Sequence, residues 1–287
     1  MFKFRVIGFI LLLALLGGIF FWRAGGFWLF LAAAPAMCAA AVGECCLMLK
    51  RSGRSAYPLP AAFLSWAVLV LTIALPSARL SFGFLFFLLT ALLVATCFAG
   101  LIGILLMRPR LMEGIFTTLG VAGMLTWSLG LFLLTYGFDG RAGYWLFFLC
   151  LVTKATDTGG YIVGTLTAKL PGGNHKIAPT VSPKKSWEGL VGGFLLSLAV
   201  AWAFYRFGNA HVAPFGEPPL WWYLTAGAVL SIGSFFGDLT ESAIKRMCGV
   251  KDSGGFVPGM GGAFDVLDSF LYNGMLFWWL FGIRAFF

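Results

Sequence analysis

Charge is what this chain has least of. Asp, Glu, Lys and Arg make up 11% of its 287 residues, while 60% are hydrophobic and mean hydropathy is +0.92. A soluble globular domain has roughly a quarter of its residues charged, so a water-soluble core is excluded. Acids are the scarcer sign: eleven Asp and Glu against twenty Lys and Arg, a net charge of +9. In a soluble protein that excess would suggest nucleic acid, but no basic soluble module is present to bind it. Nucleic acid is therefore excluded as a partner. Histidine is limited to two residues and cysteine to six, and no two cysteines have the Cys-x-x-Cys spacing of a zinc site. A zinc centre and a disulfide framework are both excluded. Cys38, Cys45, Cys46, Cys97 and Cys150 lie in apolar runs and read as small buried hydrophobes. No internal repeat, low-complexity tract or separate soluble domain appears.

What is present is a series of apolar runs, several of them reaching the ~18–20 residues that cross a bilayer. The reading is an all-α polytopic membrane protein of about nine transmembrane helices, over 6–22, 27–49, 61–75, 80–107, 115–136, 144–166, 189–207, 220–238 and 264–287. The first run follows Lys3 and Arg5. It reads as a retained span, because the next begins almost at once and no small-residue cleavage site stands out. With the N-terminus in the cytoplasm, fourteen Lys and Arg fall inside and five outside. The excess fixes that orientation and puts every candidate site on the cytoplasmic side. Residues 1–140 read as N-terminal helices, and 141–287 as a catalytic core with cytoplasmic loops 167–188 and 239–263.

Five of the eleven acids crowd into residues 238–268: Asp238, Glu241, Asp252, Asp265 and Asp268. Lys245, Arg246 and Lys251 lie among them, with glycines at 249, 254, 255, 259, 261 and 262. Charge beside lipid is costly, so such a block implies function. Asp238, Glu241, Ser242 and Lys245 have the spacing of one helix face. Gly254-Gly255 and Pro258-Gly259 force a loop, and helix can resume near Gly262, which would place Asp265 and Asp268 on one face. Carboxylates suit Mg²⁺, bare glycine backbone can approach phosphate closely, and Lys and Arg neutralise it. The chemistry indicated is metal-assisted phosphoryl or nucleotidyl transfer.

A second polar stretch precedes it. Lys154 and Asp157, at i, i+3, read as a polar patch lining a cavity, followed by Gly159-Gly160-Tyr161 and Gly164. The next loop ends Ser182-Pro183-Lys184-Lys185-Ser186-Trp187-Glu188-Gly189, whose lysines could meet either phosphates or anionic headgroups. Pro171 to His175 looks like a local elaboration, with His175 a solvated loop residue and His211 an outer one. Glu44, near the cytoplasmic end of an apolar span, reads as a snorkelling or locally paired acid. Gly233 and Gly237 suggest a packing seam, and Trp278-Trp279 interfacial anchors.

Ser242-x-x-Lys245-Arg246, Lys251-Asp252-x-Gly254 and Pro258-Gly259-x-Gly261-Gly262-x-x-Asp265-x-x-Asp268 together resemble the signature of the phosphatidate cytidylyltransferases, or CDP-diacylglycerol synthases. Asp157-x-x-x-Tyr161-x-x-Gly164 with the Ser182–Gly189 stretch resembles that family's second pattern. The sequence departs from the signature at Met260, where the family has His, and at Val266, where it has Arg; neither side chain can bind phosphate. The resemblance implies transfer of a cytidylyl group from CTP to phosphatidate, with Mg²⁺, a second cation being left open, at the inner cell membrane. It implies Asp238 and Asp265 as first metal ligands, from two helices that meet at the inner leaflet, and Asp268 as the next. Lys245, Arg246, Lys251, Lys184 and Lys185 would contact phosphates, and Ser182, Ser242, Gly259, Gly261 and Gly262 would donate hydrogen bonds. Asp252, Glu188 and Glu241 would be supporting acids. CTP, phosphatidate and the bilayer are the partners, and a homodimer is left open. A CTP-dependent polyprenol kinase and a non-enzymatic transporter remain as alternatives. The transporter expects polar residues spread across the bilayer rather than crowded at one side.

Overall fold

The computed structural model describes residues 19, 25–77, 109–138, 142–208, 218–256 and 261–286. The expected spans 6–22 (but for Ile19) and 80–107 lie outside these, as do Gly259 and Met260. The described residues are mostly helical: α1 (Gly26–Arg51), α2 (Pro58–Ser77), α3 (Pro109–Phe138), α4 (Ala142–Thr167), α5 (Trp187–Gly208), α6 (Leu220–Met247), α7 (Ala263–Leu267) and α8 (Asn273–Phe286). Trp28–Arg51, Arg110–Leu131, Tyr144–Thr167, Trp187–Gly208 and Leu220–Met247 are long and apolar enough to cross a membrane, and Pro58–Thr72 is a shorter apolar helix.

The helical class expected from sequence holds for the described residues, with one addition: the loop 167–188 contains an antiparallel hairpin of β1 (Lys176–Ala178) and β2 (Ser182–Ser186). One expectation needs correcting, because 264–287 is not one helix. It divides into α7, a 3₁₀ turn at Asp268–Phe270 and α8. Asp268 supplies a reason for the break. Its Oδ1 accepts the N–H of Ser269 at 2.5 Å and lies 2.9 Å from that residue's hydroxyl. Short polar side chains that bind neighbouring backbone compete with helical hydrogen bonds.

The chain divides into two compact units, Met1–Gly137 with Met247–Leu267, and Phe138–Arg246 with Asp268–Phe287. In the first, α1 packs on α2, where a methyl on Gly43 would sit 3.5 Å from the Ala62 Cβ. The Tyr57 N–H donates to Thr118 Oγ1 at 2.9 Å, tying the start of α2 to α3. The short α7 lies against α1 and buries Phe264 completely.

The second unit is built on a seam between α4 and α5. A Cβ on Gly159 would fall 2.6 Å from the Gly192 carbonyl oxygen, and one on Gly193 would fall 2.5 Å from that of Thr156. The backbones are in direct contact, which only small residues allow. Ser197 Oγ reaches the Gly227 carbonyl at 3.1 Å and joins α5 to α6. Gly237 of α6 packs under the Asp268 backbone, and Gly233 under Asn273 and Leu276. Trp145, Phe148, Trp222, Tyr223 and Phe277 form a buried aromatic cluster, with edge-to-face pairs such as Trp145–Trp222 at 5.4 Å. These contacts fix the helices against one another and so fix what their polar ends bring together.

Candidate active site

Helix α6 has 28 residues, about 42 Å at 1.5 Å per residue, which exceeds a hydrocarbon core of about 30 Å. Its apolar part is N-terminal, so the last turns, with Asp238, Glu241, Lys245 and Arg246, extend past it. One oxygen each of Asp238, Glu241 and Asp268 lie within 4.8 Å of one another. Glu241 and Asp268 are buried and Asp238 is half-buried. Gly237 makes this possible: without a side chain there, the Asp268 backbone can come down onto α6 next to Asp238.

Lysines balance these acids. Lys185 Nζ lies 2.7 Å from Asp238 Oδ2, donates to the Phe235 carbonyl at 3.2 Å, and stands 4.7 Å from the centre of the Phe235 ring. Lys245 pairs with Glu241 one turn back on the same helix. Lys154 Nζ reaches Asp157 Oδ2 at 3.1 Å and Ser269 Oγ at 3.3 Å. The Ser234 hydroxyl donates to Asp157 Oδ1 at 3.2 Å. The result is one network of acids and lysines spread over α4, β2, α6 and the 3₁₀ turn.

Beside it opens a cavity of about 710 Å³, lined by Asp157, Tyr161, Lys169, Lys176, Ser182, Lys184, Lys185 and Asp238. Four lysines, with Gly160, Gly164, Gly189 and Gly193 also in the lining, suit a polyanion with a bulky body. The hairpin carries Lys176, Lys184 and Lys185 and is anchored at both ends. Asn174 Nδ2 donates to the Gly164 carbonyl at 2.8 Å, at the end of α4. The His175 N–H and Nδ1 both meet the Glu188 carboxylate, the ring nitrogen at 2.7 Å, and the Trp187 N–H returns to the His175 carbonyl at 2.9 Å. His175 is thus solvent-exposed and also joined to α5.

The glycine loop belongs to the other unit. There the Asp265 carboxylate accepts the N–H of Ser253 at 3.1 Å and of Gly262 at 2.8 Å. Gly261 has φ +105° and lies against that carboxylate, so a side chain there would be strained and would also collide. Lys251 and Asp252 are exposed.

Of the residues chosen from sequence, the structure gathers Asp238, Asp268, Lys245, Ser182, Lys184 and Lys185 around the acids and the cavity. Arg246 Nε donates to the Val181 carbonyl at 3.4 Å, beside the hairpin. Asp265 is not one of the three clustered acids; it organises the loop with Gly261 and Gly262. Gly259 lies outside the described residues. Glu241, read from sequence as a supporting acid, is the third member of the cluster, and its i, i+3 spacing from Asp238 was the available signal. Glu44 is the residue that the sequence placed in the wrong company. Its partners are the Ser253 hydroxyl and the Phe264 N–H, more than 200 positions along the chain. The donor set fits a hard divalent cation: three carboxylates, with no sulfur or imidazole among them.

A family model described as "Cytidylyltransferase family" matches residues 3–284. The phosphatidate cytidylyltransferase of Staphylococcus saprophyticus is 42% identical over 129 residues, which is 45% of each chain. That of Haemophilus influenzae is 38% identical over 140 residues, 49% of this chain and 42% of its own. The aligned stretches thus span under half the length of these curated relatives. The family match itself runs almost from end to end, and the chain belongs to the cytidylyltransferase family.

Proposed function

We propose that this protein transfers a cytidylyl group from CTP to phosphatidate, giving CDP-diacylglycerol and pyrophosphate at the cytoplasmic face of the inner membrane. The observation that carries the proposal is the ion pair between Lys185 and Asp238, which joins a lysine-lined cavity to a cluster of three acids. A polyanion and a cation thereby have adjoining places. The names of the relatives, each a phosphatidate cytidylyltransferase, supply the substrate class.

In the proposed reaction a phosphate oxygen of phosphatidate attacks the α-phosphorus of CTP. A new P–O bond forms, the bond from Pα to the bridging oxygen breaks, and pyrophosphate leaves. A phosphate monoester is already ionised at neutral pH, so no general base or nucleophilic side chain is required. The protein positions two polyanions and neutralises them. Lys169, Lys176, Lys184 and Lys185 meet phosphates in the cavity, with Ser182 as hydrogen-bond donor. Asp238, Glu241 and Asp268 hold Mg²⁺, which when bound withdraws charge from the reacting phosphates. Lys245 and Arg246 extend the basic surface from α6. Asp265 enters as a further metal ligand, and Ser242, Lys251, Gly259, Gly261 and Gly262 as substrate contacts, on the resemblance alone. Asp265 is in addition a structural acceptor for the backbone N–H groups of Ser253 and Gly262.

The test is purified protein in detergent with labelled CTP and Mg²⁺, given phosphatidate in one reaction and a polyprenol in another, followed by identification of the products. CDP-diacylglycerol with pyrophosphate is expected. Release of CDP with a phosphorylated polyprenol would instead establish the kinase reading, and no CTP-dependent product with either lipid would end the enzymatic one.

A further inference from the structure

Glu44 is the only acid in α1, a helix otherwise built of apolar and small residues up to Lys50 and Arg51. It lies seven residues before the end of that helix, about 10 Å along its axis, where a carboxylate needs partners to offset its lost hydration. The basic pair at the helix end is not what it binds in this structure. Glu44 Oε2 accepts the Phe264 N–H at 3.1 Å and the Ser253 hydroxyl at 3.3 Å. Phe264 is the second residue of α7, whose first N–H groups have no partner within the helix. Glu44 therefore caps α7 from a different helix.

The glycines beside it are shaped by the same carboxylate. A methyl on Gly254 would run into Glu44 Oε1, and one on Gly262 into Glu44 Oε2 and the Ser253 hydroxyl. Ser253 is held on two sides, by Glu44 at its hydroxyl and by Asp265 at its N–H. Two carboxylates, one from α1 and one from α7, thus draw Ser253 and Gly262–Phe264 together and set the ends of the glycine loop.

We propose that Glu44 is a positioning residue for the described ends of the glycine loop, fixing Ser253 and the start of α7 so that Ser253, Gly262 and Asp265 are presented in one arrangement. This rests on the proposed reading in which that loop serves cytidylyl transfer, but the loop geometry can be measured without it. Glu44 touches no substrate in this account. Its loss should misplace groups rather than remove a binding contact, and so should lower kcat more than it raises KM. Glutamine keeps an acceptor oxygen at the same reach and should restore most of the function, which a purely charge-based role would not allow.

The experiment compares the full-length protein with Glu44→Ala and Glu44→Gln in detergent, by hydrogen exchange at the peptide containing Phe264 and by initial rates with CTP and phosphatidate. In Glu44→Ala, exchange at Phe264 is expected to rise about tenfold for one lost charge-assisted hydrogen bond. Its kcat should fall about a hundredfold, with KM for CTP changed by less than about threefold. Glu44→Gln should lie within about tenfold of the native kcat. Native exchange and native kcat in a folded Glu44→Ala protein would overturn the proposal, as would a glutamine variant as impaired as the alanine one. If Glu44→Ala yields no folded protein, Gly254→Ala decides, because its methyl displaces the carboxylate without removing it. Raised exchange at Phe264 with reduced kcat then supports the proposal, and native values overturn it. If the native protein itself makes no CDP-diacylglycerol, the proposed function fails while the exchange comparison still decides the role of Glu44 in the loop.

Discussion

The contact between α4 and α5 can be tested by adding a single methyl group. In Gly193→Ala the new Cβ would lie 2.5 Å from the Thr156 carbonyl oxygen and 3.2 Å from Thr156 Cγ2. Carbon–oxygen contacts settle at about 3.3 Å or more, so the helices must part by roughly 0.8 Å. The obstacle is backbone, so no side-chain rotation relieves it. Overpacking of this kind costs about 1–3 kcal/mol, and the better helix propensity of Ala returns up to about 1 kcal/mol. A clash with backbone lies in the upper part of that range, so the net loss is about 1–2 kcal/mol, a fall of roughly 2–4 °C in Tm for a protein of this size. Gly160→Ala is the control. Its Cβ would meet the Gly189 carbonyl at 3.4 Å, an ordinary contact, so it should match or exceed the native Tm. Parting the seam would also carry Thr156 and Asp157 away from the hairpin lysines across the cavity, and turnover should fall up to about a hundredfold in Gly193→Ala. The assay is thermal unfolding of the purified protein in detergent, followed by initial rates at a temperature where both variants are folded. Equal Tm values for the two variants would show that the seam yields easily and would refute this account of how the site is held.

Asp265→Asn is expected to abolish CTP-dependent lipid product without loss of folded protein, and normal turnover would remove Asp265 from the metal assignment. Lys185→Met removes both the partner of Asp238 and a lysine of the cavity, so KM for CTP should rise about tenfold; an unchanged KM in initial-rate measurements would take Lys185 out of the binding set. Met260→His combined with Val266→Arg restores the family residues at the two departures from the signature, and a large gain in rate would show that the native protein is slowed there, whereas no gain would show that its loop works without them.

The face formed by Asp238, Glu241 and Lys245 was legible because a helix turns its periodicity into neighbourhood, and α6 continues unbroken through those residues. The α4–α5 seam left a signal that went unused. Gly160 and Gly164 on one helix and Gly189 and Gly193 on the other have the four-residue spacing of close-packed membrane helices. The hairpin left almost none, since its strands are three and five residues long and β2 reads Ser-Pro-Lys-Lys-Ser, a composition poor in strand formers. Its ends are set by Asn174 and His175, whose partners Gly164 and Glu188 lie across the loop rather than at a fixed period. The break after α7 was hidden for a related reason. No proline or glycine marks it, and it depends on an aspartate that turns to its neighbour's backbone.

Glu44 shows where reading by local neighbours must fail. A lone acid in an apolar helix can be satisfied by lysines one or two turns away or by backbone from the far end of the chain, and composition cannot separate these cases. The distinguishing fact is steric as well as electrostatic. At Gly254 and Gly262 a side chain would have to displace the Glu44 carboxylate, which occupies the space each would take. In the sequence those glycines read as phosphate-binding backbone. In the fold they are also the socket for an acid from α1, which bears on how the family's signature is interpreted. Part of that glycine pattern is set by packing against a protein carboxylate, so substitution of Gly254 tests the socket, while substitution of Gly261, whose φ is +105°, tests the turn. The two sets of variants should separate in hydrogen exchange at Phe264 even if they reduce turnover alike.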